Sequence, residues 1–271
     1  MKCFGENEIN ILAQAYRLCL FLDYDGTLTP IVRHPSLARL SSSRKKVLRE
    51  LSRLPNVKVC IVSGRILSAL KRMVGVSKFV YVGNHGFEGE GPGIRYHHFT
   101  DRKRRALLAI IHQKLKQQLG SIPGVFIENK TLTVSVHYRR VSKKDLAKVK
   151  LNFLRITMPY IHKSKIHLVE GKKVMEVRPD AQWNKGTAVM WVLDRLASKS
   201  RKGIFPVYVG DDRTDEDAFI SLKRRGMTVK VTMLPREYSE AQYFLHSPAK
   251  VFVFLKKIIA IRKLMAEGYH P

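Results

Sequence analysis

The chain has 271 residues, 45% of them hydrophobic, and is long enough to bury a full core in one large domain or two smaller ones. Its 50 lysines and arginines outnumber its 22 acidic residues, and the net charge of +28 would suit nucleic acid, a membrane surface or phosphorylated metabolites. The basic residues stand in short dispersed clusters without zinc-finger spacing or an aromatic RNA-binding motif, which favours a solvated surface over a nucleic-acid site.

The amino terminus, the apolar runs and the cysteines indicate a cytoplasmic protein. The first ten residues carry acids and lack the hydrophobic segment of a signal peptide. No apolar stretch approaches a length of about 20 residues, which a membrane span requires. Cys3, Cys19 and Cys60 lack the spacing of a disulfide framework. We therefore expect reduced thiols, a cytoplasmic location and no membrane partner.

Short apolar strands alternate with amphipathic helices at the start of the chain. Strands are predicted at residues 17–22, 57–62 and 79–82. A serine-capped helix over residues 41–54 follows the first strand, and a second helix from about Ile66 follows the second strand. The glycine-rich segment that comes next predicts a loop or a hairpin instead of a helix.

The middle of the chain changes character. A basic helix is predicted from about Asp101 to Leu119, followed by two strands and a helix that opens at a capping box of Ser142 and Asp145. Two further strands lead to Pro179. These elements predict an inserted α+β module with its own core.

Beyond Pro179 the alternation of helix and strand resumes, with helices from Lys185, Asp215 and Pro248 around strands at residues 205–210 and 227–231. The predicted fold class is therefore α/β, a doubly wound parallel sheet with an inserted module. We place the core at residues 1–102 and 179–271 and the inserted module at residues 103–178.

Polar clusters stand at the carboxyl ends of the predicted strands, where ligands gather in doubly wound sheets. The first cluster is Asp23 and Asp25, one residue apart and followed by glycine. The other three clusters are Ser63-Gly64-Arg65, Asn184-Lys185-Gly186 and Gly210-Asp211-Asp212.

These residue types are those that phosphoryl transfer requires. Asp23 could attack phosphorus, and Asp25 could protonate the leaving alkoxide and then activate water. A Mg²⁺ ion takes hard oxygen ligands, which Asp23 and Asp211 could supply. Lys185 and Ser63 could bind the phosphoryl oxygens.

Each cluster also has a simpler interpretation. Asp25-Gly26 is a common turn dipeptide, Ser63-Gly64 an ordinary strand-to-helix turn, and Lys185 one more surface lysine. The acids after Gly210 could favour a helix N-terminus. The conjunction of four suitable clusters, each at the end of a strand or the start of a helix, favours the catalytic interpretation.

Together the segments DYDGT, VSGR, NKG and GDDRTDEDAF resemble the four motifs of the haloacid dehalogenase superfamily. More narrowly, the segments FLDYDGTLTPI, GNHGFE, HYR, EVRP, WNKG and GDDRTDEDAF resemble trehalose-6-phosphate phosphatases. The resemblance runs from about Leu18 to the C-terminal helix. It implies a Rossmann-like core of the haloacid dehalogenase type.

For the core, the resemblance implies Asp23 as nucleophile and Asp25 as general acid and base. It implies that Mg²⁺ is held by the Asp23 carboxylate, the Asp25 backbone carbonyl and Asp211, with Asp215 supporting the metal site. Whether Asp212 contributes stays open. The remaining implied core residues, which bind phosphoryl group or substrate, are Ser63, Lys185, Arg65, Asn84, His85 and Gly86. A turn role is an equal alternative for His85.

For the inserted module, the resemblance implies a mobile cap that recognises the sugar. Its candidate sugar-binding residues are Glu128, Lys130, Arg139, Lys172 and Glu176. Glu128 and Lys130 stand two residues apart, so we expect them on one side of a strand, facing one sugar. Lys173 is an alternative to Lys172, and exposed strand charges are the simpler interpretation of the whole set.

The sequence therefore predicts a Mg²⁺-dependent phosphatase that converts trehalose 6-phosphate to trehalose. Alternatives are a phosphatase for sucrose phosphate or mannosyl-phosphoglycerate, a phosphomutase, and a nucleic-acid-binding protein on this scaffold. The expected partner is a small sugar phosphate. We expect a monomer, and a trehalose-6-phosphate synthase is a candidate protein partner.

Overall fold

The computed structural model describes residues 1–98, 102–163, 165–179, 183–198, 203–234 and 236–267. The strands within these ranges are β1 (Lys2–Cys3), β2 (Leu18–Asp23), β3 (Val57–Val62), β4 (Val80–Gly83), β5 (Glu88–Gly91), β6 (Ile94–His97), β7 (Phe126–Asn129), β8 (Val134–His137), β9 (Ile166–Gly171), β10 (Val174–Pro179), β11 (Phe205–Gly210), β12 (Met227–Val231) and β13 (Tyr243–Leu245). The α-helices are α1 (Glu6–Gln14), α2 (Ser42–Leu51), α3 (Leu67–Val74), α4 (Arg102–Leu119), α5 (Lys143–Ile161), α6 (Lys185–Ala197), α7 (Glu216–Leu222) and α8 (Pro248–Ala266).

The described residues form two compact units. One, here called the core unit, comprises Met1–Tyr96 and Trp183–Pro271. The other, here called the inserted unit, comprises His97–Gln182. The core unit is thus built from two stretches of chain separated by the inserted unit.

The core unit contains the predicted parallel sheet. Nine of the described strands form one sheet in the order β1-β13-β12-β11-β2-β3-β4-β5-β6. Neighbours from β1 to β4 run parallel, and β5 pairs antiparallel with β4. The predicted α/β class is confirmed, and the glycine-rich segment forms the hairpin of β5 and β6.

Both faces of this sheet are buried, which explains the continuous apolar runs of its strands. On β2, Leu18, Leu20 and Leu22 pack in one hydrophobic cluster, which includes residues of α1, α2, α3 and α8. Cys19 and Phe21 point to the other face and pack with α6 and α7. The alternation of side chains along a strand places the two sets on opposite faces.

The inserted unit has a four-stranded antiparallel sheet in the order β7-β8-β10-β9. Val134 and Val136 of β8 share a core with residues of α4 and α5. The alternate positions, such as Ser135 of β8 and its cross-strand partner Glu176 of β10, lie on the other face of the sheet. One face of this sheet is therefore apolar and the other polar.

The structure corrects one expectation and adds elements that were not predicted. Strands β1 and β13 have two and three residues, too few to show a pattern, and helix α1 was also not predicted. The Ser142 hydroxyl donates to the Asp145 carboxylate at 2.7 Å and does not accept a backbone N–H, so the predicted capping box is wrong. The basic helix begins at Arg102, and Asp101 lies outside the described residues.

The cysteines and the helices give two further findings. Cys19 and Cys60 are buried free thiols whose sulfur atoms are 3.8 Å apart, and Cys3 is an exposed free thiol. Burial raises the pKa of the Cys60 thiol well above its usual value. Among the described helices, none combines the length and the apolar character that a bilayer crossing needs.

Candidate active site

Three central strands deliver polar residues to one edge of the sheet. Asp23 ends β2, Ser63 follows β3 and Asp211 follows β11. β2 is hydrogen-bonded to β3 on one side and to β11 on the other, with Asp23 opposite Val62 and Leu22 opposite Val209. Parallel strands end at the same edge, so these side chains meet there.

Lys185 joins this edge from the first turn of α6. Asn184 caps the helix by accepting a hydrogen bond from the Thr187 backbone N–H at 2.9 Å, which fixes where the helix begins. The ammonium of Lys185 donates to Asp23 at 2.8 Å and to Asp215 at 2.7 Å. Burial alone would lower the pKa of Lys185, but Asp215 and Asp23 together raise it. Lys185 is therefore a fixed positive charge at the site.

Asp215 lies at the centre of the hydrogen-bond network. One of its oxygens accepts from the Tyr208 hydroxyl at 2.7 Å as well as from Lys185. The other accepts the backbone N–H groups of Asp211 and Asp212 at 3.0 and 2.9 Å. Burial opposes ionisation of Asp215, but Lys185 and these hydrogen bonds outweigh it and lower its pKa. Asp215 thus holds both Lys185 and the loop that carries Asp211.

The acidic side chains form the kind of cluster that binds a cation. One carboxylate oxygen from each of Asp23, Asp211 and Asp215 lies within 4.8 Å of the others, and all three residues are buried. Burial raises the pKa of Asp23, Lys185 counteracts this in part, and Asp215 and Asp211 add to it. Three buried carboxylates beside one ammonium leave negative charge to be balanced, and an all-oxygen donor set fits a hard divalent cation.

Gly26 makes room for this cluster. Its φ of +86° lies in the left-handed region, and a Cβ added there would stand 2.1 Å from an Asp211 oxygen. The Thr27 hydroxyl donates to Asp211 at 3.4 Å. The turn after β2 can therefore approach Asp211 only because residue 26 has no side chain.

Asp25 has a different environment from Asp23. Its side chain is 41% exposed, and both of its oxygens accept hydrogen bonds from the guanidinium of Arg65, at 2.7 and 2.6 Å. Asp25 is not part of the buried acidic cluster. The two predicted carboxylates therefore have different partners. Asp23 pairs with Lys185, and Asp25 pairs with Arg65.

Ser63 lies beside a strained turn of residues 84–86. Its hydroxyl accepts the Arg65 backbone N–H at 3.2 Å, and its carbonyl accepts the His85 backbone N–H at 3.0 Å. Asn84 and His85 have positive φ values of 46° and 57°, which non-glycine residues rarely adopt. Such strain is concentrated at functional sites.

This turn packs against Gly64 and is held by two hydrogen bonds to Gly86. A Cβ on Gly64 would stand 2.2 Å from the His85 ring, so the ring packs directly on residue 64. The Gly86 carbonyl accepts hydrogen bonds from the Trp183 indole at 2.7 Å and the Tyr96 hydroxyl at 3.0 Å. Trp183 and Tyr96 therefore hold the turn by hydrogen bonds.

In the inserted unit, Glu176 is the centre of a buried charged cluster. Its carboxylate accepts from Lys130 at 2.8 Å, from Ser135 at 2.6 Å and from Arg178 at 2.6 Å. All four side chains are buried. Lys130 and Glu176, both predicted to bind sugar, are thus paired with each other.

The other predicted sugar-binding residues stand in separate contacts. Glu128 lies 3.0 Å from a ring nitrogen of His137, whereas Lys130 donates to Glu176. Arg139 donates to the Lys172 carbonyl. Lys173 occupies the β9–β10 turn with a φ of +68°.

Comparison with known proteins places this arrangement in a family. The profile of the trehalose-phosphatase family matches residues 21–249. Probable trehalose-phosphate phosphatase H of Arabidopsis thaliana is 34% identical over 271 residues, which cover 95% of this chain and 76% of that protein. Trehalose-phosphate phosphatase B of the same plant is 34% identical over 267 residues, covering 93% and 69%.

The chain belongs to the trehalose-phosphatase family. Members of this family are phosphatase hydrolases, and the chain is an enzyme of that class. The predicted superfamily and family are thereby confirmed. The family and the acidic cluster together indicate a divalent metal.

Solved structures of trehalose phosphatases share the fold. The C-terminal domain of the Candida albicans trehalose-6-phosphate phosphatase superposes with a TM-score of 0.79 at 24% identity, covering 96% of this chain and 98% of that one. The Aspergillus fumigatus trehalose-6-phosphate phosphatase, crystal form 3, gives 0.63 at 25% identity, covering 96% and 99%. A Bacillus subtilis haloacid dehalogenase-like hydrolase gives 0.56 at 16% identity, covering 88% and 98%.

Three residues in the networks of this trehalose phosphatase were missed from the sequence: Tyr208, Ser135 and Arg178. Arg178 stands two positions after Glu176 on β10, so alternation could have placed it on the same face. Tyr208 and Ser135 carried no such signal, because each lies in an apolar strand and meets its carboxylate only in the folded chain.

Proposed function

We propose that this chain hydrolyses trehalose 6-phosphate to trehalose and phosphate, by way of an aspartyl-phosphate formed on Asp23. The observation that carries the proposal is the convergence of Asp23, Lys185 and Asp211 at one sheet edge, in a chain about a third identical to proteins named trehalose-phosphate phosphatases. The roles of the individual residues follow from their contacts.

In the first step a carboxylate oxygen of Asp23 attacks phosphorus, and the bond from phosphorus to the sugar oxygen breaks. Asp25 gives a proton to the departing sugar oxygen, because an alkoxide leaves poorly. Lys185 and Ser63 donate hydrogen bonds to the phosphoryl oxygens and compensate their charge. Lys185 is already held within 2.8 Å of Asp23, so this charge needs no rearrangement to reach the site.

In the second step water attacks phosphorus of the aspartyl-phosphate, its proton passes to Asp25, and the bond to Asp23 breaks. Phosphate is released and the Asp23 carboxylate is regenerated. The same Asp25 serves as acid and then as base, so one turnover leaves its protonation unchanged.

We assign Mg²⁺ as the divalent cation, held by carboxylates of Asp23 and Asp211, with the Asp25 backbone carbonyl as a further ligand. When bound, Mg²⁺ neutralises charge on the phosphoryl oxygens. Asp215 orients rather than coordinates in this proposal, because its two oxygens already accept four hydrogen bonds.

We assign sugar recognition to the inserted unit, acting as the cap. Its polar sheet face offers Glu128 and the Glu176 cluster, and hydroxyl-rich sugars require such charged groups at fixed positions. Arg139 and Lys172 extend this set, and Asn84, His85 and Gly86 contribute from the core unit. We further assign the enzyme to the cytoplasm as a monomer, with a trehalose-6-phosphate synthase as its candidate partner.

Phosphate release from a panel of sugar phosphates, with and without Mg²⁺, tests the proposal. We expect turnover to require Mg²⁺ and to be clearly faster with trehalose 6-phosphate than with sucrose 6-phosphate, mannosyl-phosphoglycerate or glucose 6-phosphate. Asp23→Asn should abolish turnover, because the amide is a poor nucleophile. Asp194→Asn, which alters an exposed carboxylate of α6, is the matched control and should keep turnover.

Two results would contradict this prediction. Near-normal turnover by Asp23→Asn would show that another group attacks phosphorus. Equal turnover of glucose 6-phosphate and trehalose 6-phosphate would show that the disaccharide is not recognised.

A further inference from the structure

Arg65 and Asp25 form a pair whose geometry is more specific than that of a surface ion pair. Nε and Nη2 of Arg65 donate to the two different oxygens of Asp25, at 2.7 and 2.6 Å. This two-point contact fixes the plane of the carboxylate as well as its distance. Asp25 therefore has one defined orientation although its side chain is 41% exposed.

The guanidinium of Arg65 is itself held from several directions. Nη2 also donates to the Pro35 carbonyl at 2.8 Å, and the guanidinium carbon stands 5.3 Å from the centroid of the Tyr24 ring. Tyr24 is fully buried and donates its hydroxyl to the Ala38 carbonyl at 2.9 Å. The Arg65 side chain is only 14% exposed, and its own contacts hold it in place beside Asp25.

This arrangement presents Asp25 for the second step. Each of its oxygens accepts one N–H of the same guanidinium, the pairing of a fork of donors with a carboxylate. A carboxylate held in this plane is oriented to accept a proton from water. For an Asp25 oxygen to give a proton to the departing sugar in the first step, at least one of these hydrogen bonds has to be released.

We infer that Arg65 is a positioning residue, which holds the Asp25 carboxylate for attack of water on the aspartyl-phosphate, and that it does not bind substrate. The inference rests on the proposed function of Asp23 and Asp25. In the step concerned, water forms a bond to phosphorus, the bond from phosphorus to Asp23 breaks, and the water proton goes to the Asp25 oxygen. Arg65 itself is unchanged by the step.

The kinetics of Arg65→Met test this inference. If only the second step is slowed, aspartyl-phosphate accumulates, and kcat and KM fall together by about 10- to 100-fold. The ratio kcat/KM, which reports formation of the intermediate, should stay within about threefold of the wild type. With 4-nitrophenyl phosphate, rapid mixing should show a burst of nitrophenolate, and intact-protein mass spectrometry should detect the phosphorylated chain.

Two variants serve as controls. Arg44→Met removes another arginine of the core unit, one that donates to the Leu28 carbonyl at 2.9 Å and lies 5.0 Å from the Phe252 ring centroid. Arg44 has no carboxylate partner among the described contacts, so this variant should keep wild-type kinetics. Arg65→Lys keeps the charge but loses the two-point contact, and should give a smaller fall in kcat than Arg65→Met.

Other outcomes would overturn the inference. A KM that rises while kcat is kept would mean that Arg65 binds substrate. Unchanged kinetics would mean that Arg65 neither binds substrate nor positions Asp25. If Arg65→Met fails to fold, as judged by circular dichroism, Arg65→Lys carries the same test with the same two overturning results. A wild-type chain that hydrolyses 4-nitrophenyl phosphate but not trehalose 6-phosphate would refute the proposed substrate, while a burst in Arg65→Met would still support the role of Arg65.

Discussion

At the scale of single residues, the site depends on backbone conformation as well as on its charged groups. Gly26 and Gly75 both adopt the left-handed conformation, with φ of +86° and +69°. A Cβ on Gly26 would collide with Asp211, whereas a Cβ on Gly75 would meet nothing within 4 Å. Alanine substitutions at the two glycines therefore distinguish two effects. Both variants strain the backbone, and only the variant at Gly26 also crowds Asp211.

We predict that Gly26→Ala and Gly75→Ala both lower the free energy of unfolding, by about 1–2 kcal/mol each for the strained backbone. Only Gly26→Ala should also lower kcat, by about 100-fold, because Asp211 must move away from its site. Urea denaturation measures the first effect and phosphate release at varied Mg²⁺ concentration the second. Loss of activity in Gly75→Ala, or full activity in Gly26→Ala, would contradict the argument.

The candidate residues were predictable from sequence because their signals are local. Asp23, Asp25 and Asp211 each stand in a short motif at the end of a strand, and the structure gathers the first and third as the sheet topology required. The pairing of Asp25 with Arg65 joins residues 40 positions apart. No local pattern encodes that contact. The sequence predicted that Arg65 binds substrate, and the positioning role proposed for it comes from the folded structure.

At the scale of secondary-structure elements, two carboxylates on neighbouring strands of the inserted unit have opposite environments. Glu176 of β10 is 5% exposed and accepts from Lys130 and Arg178. Glu170 of β9 is 55% exposed, and its ion-pair partner Lys150 is also half exposed. Removing the charge of Glu176 leaves the buried Lys130 and Arg178 without their carboxylate. Water, in contrast, can take the place of the exposed Glu170 carboxylate beside Lys150.

We predict that Glu176→Gln lowers the free energy of unfolding by about 3 kcal/mol. Glu170→Gln should change it by less than about 1 kcal/mol. Urea denaturation followed by circular dichroism compares the two variants. If Glu176→Gln is as stable as Glu170→Gln and only raises KM, the cluster serves to bind sugar and contributes nothing to folding.

Patterns of apolar residues predicted most elements, since helices and strands of ordinary length repeat their periodicity several times. The exceptions are instructive. Helix α1 is tied to α8 by Arg262, which donates to the Leu12 and Ala15 carbonyls at 2.8 and 2.6 Å. These contacts span about the whole chain, so α1 depends on tertiary packing that a local pattern does not reveal.

At the scale of the whole molecule, the chain leaves the core unit and returns to it at adjoining points. The rings of Tyr96 and Trp183, on either side of the inserted unit, have centroids 6.1 Å apart. Both residues also donate to the same Gly86 carbonyl. A short linker can therefore join them without disturbing the sheet.

We predict that a chain with residues 97–182 replaced by a short Gly-Ser linker folds and still hydrolyses 4-nitrophenyl phosphate. Its kcat/KM for trehalose 6-phosphate should fall at least about 100-fold, because the groups that recognise the sugar are gone. Circular dichroism checks folding, and Asp23→Asn in the shortened chain should be inactive. A shortened chain that still prefers trehalose 6-phosphate to glucose 6-phosphate would show that the core unit selects the sugar.

By itself, the sequence determined most of the strands and helices, the interruption of the α/β pattern and the motifs that carry the candidate catalytic groups. Each of these features is encoded by residues close together in the sequence, through the periodicity of apolar side chains, turn-forming glycines and motif spacing. Only the tertiary structure decided which charges are partners: Lys185 with Asp23, 162 positions away, Arg65 with Asp25, and Glu176 with Arg178 and Lys130. Most of these contacts join strands and loops distant in the chain, and a partner also requires burial and orientation that no spacing specifies.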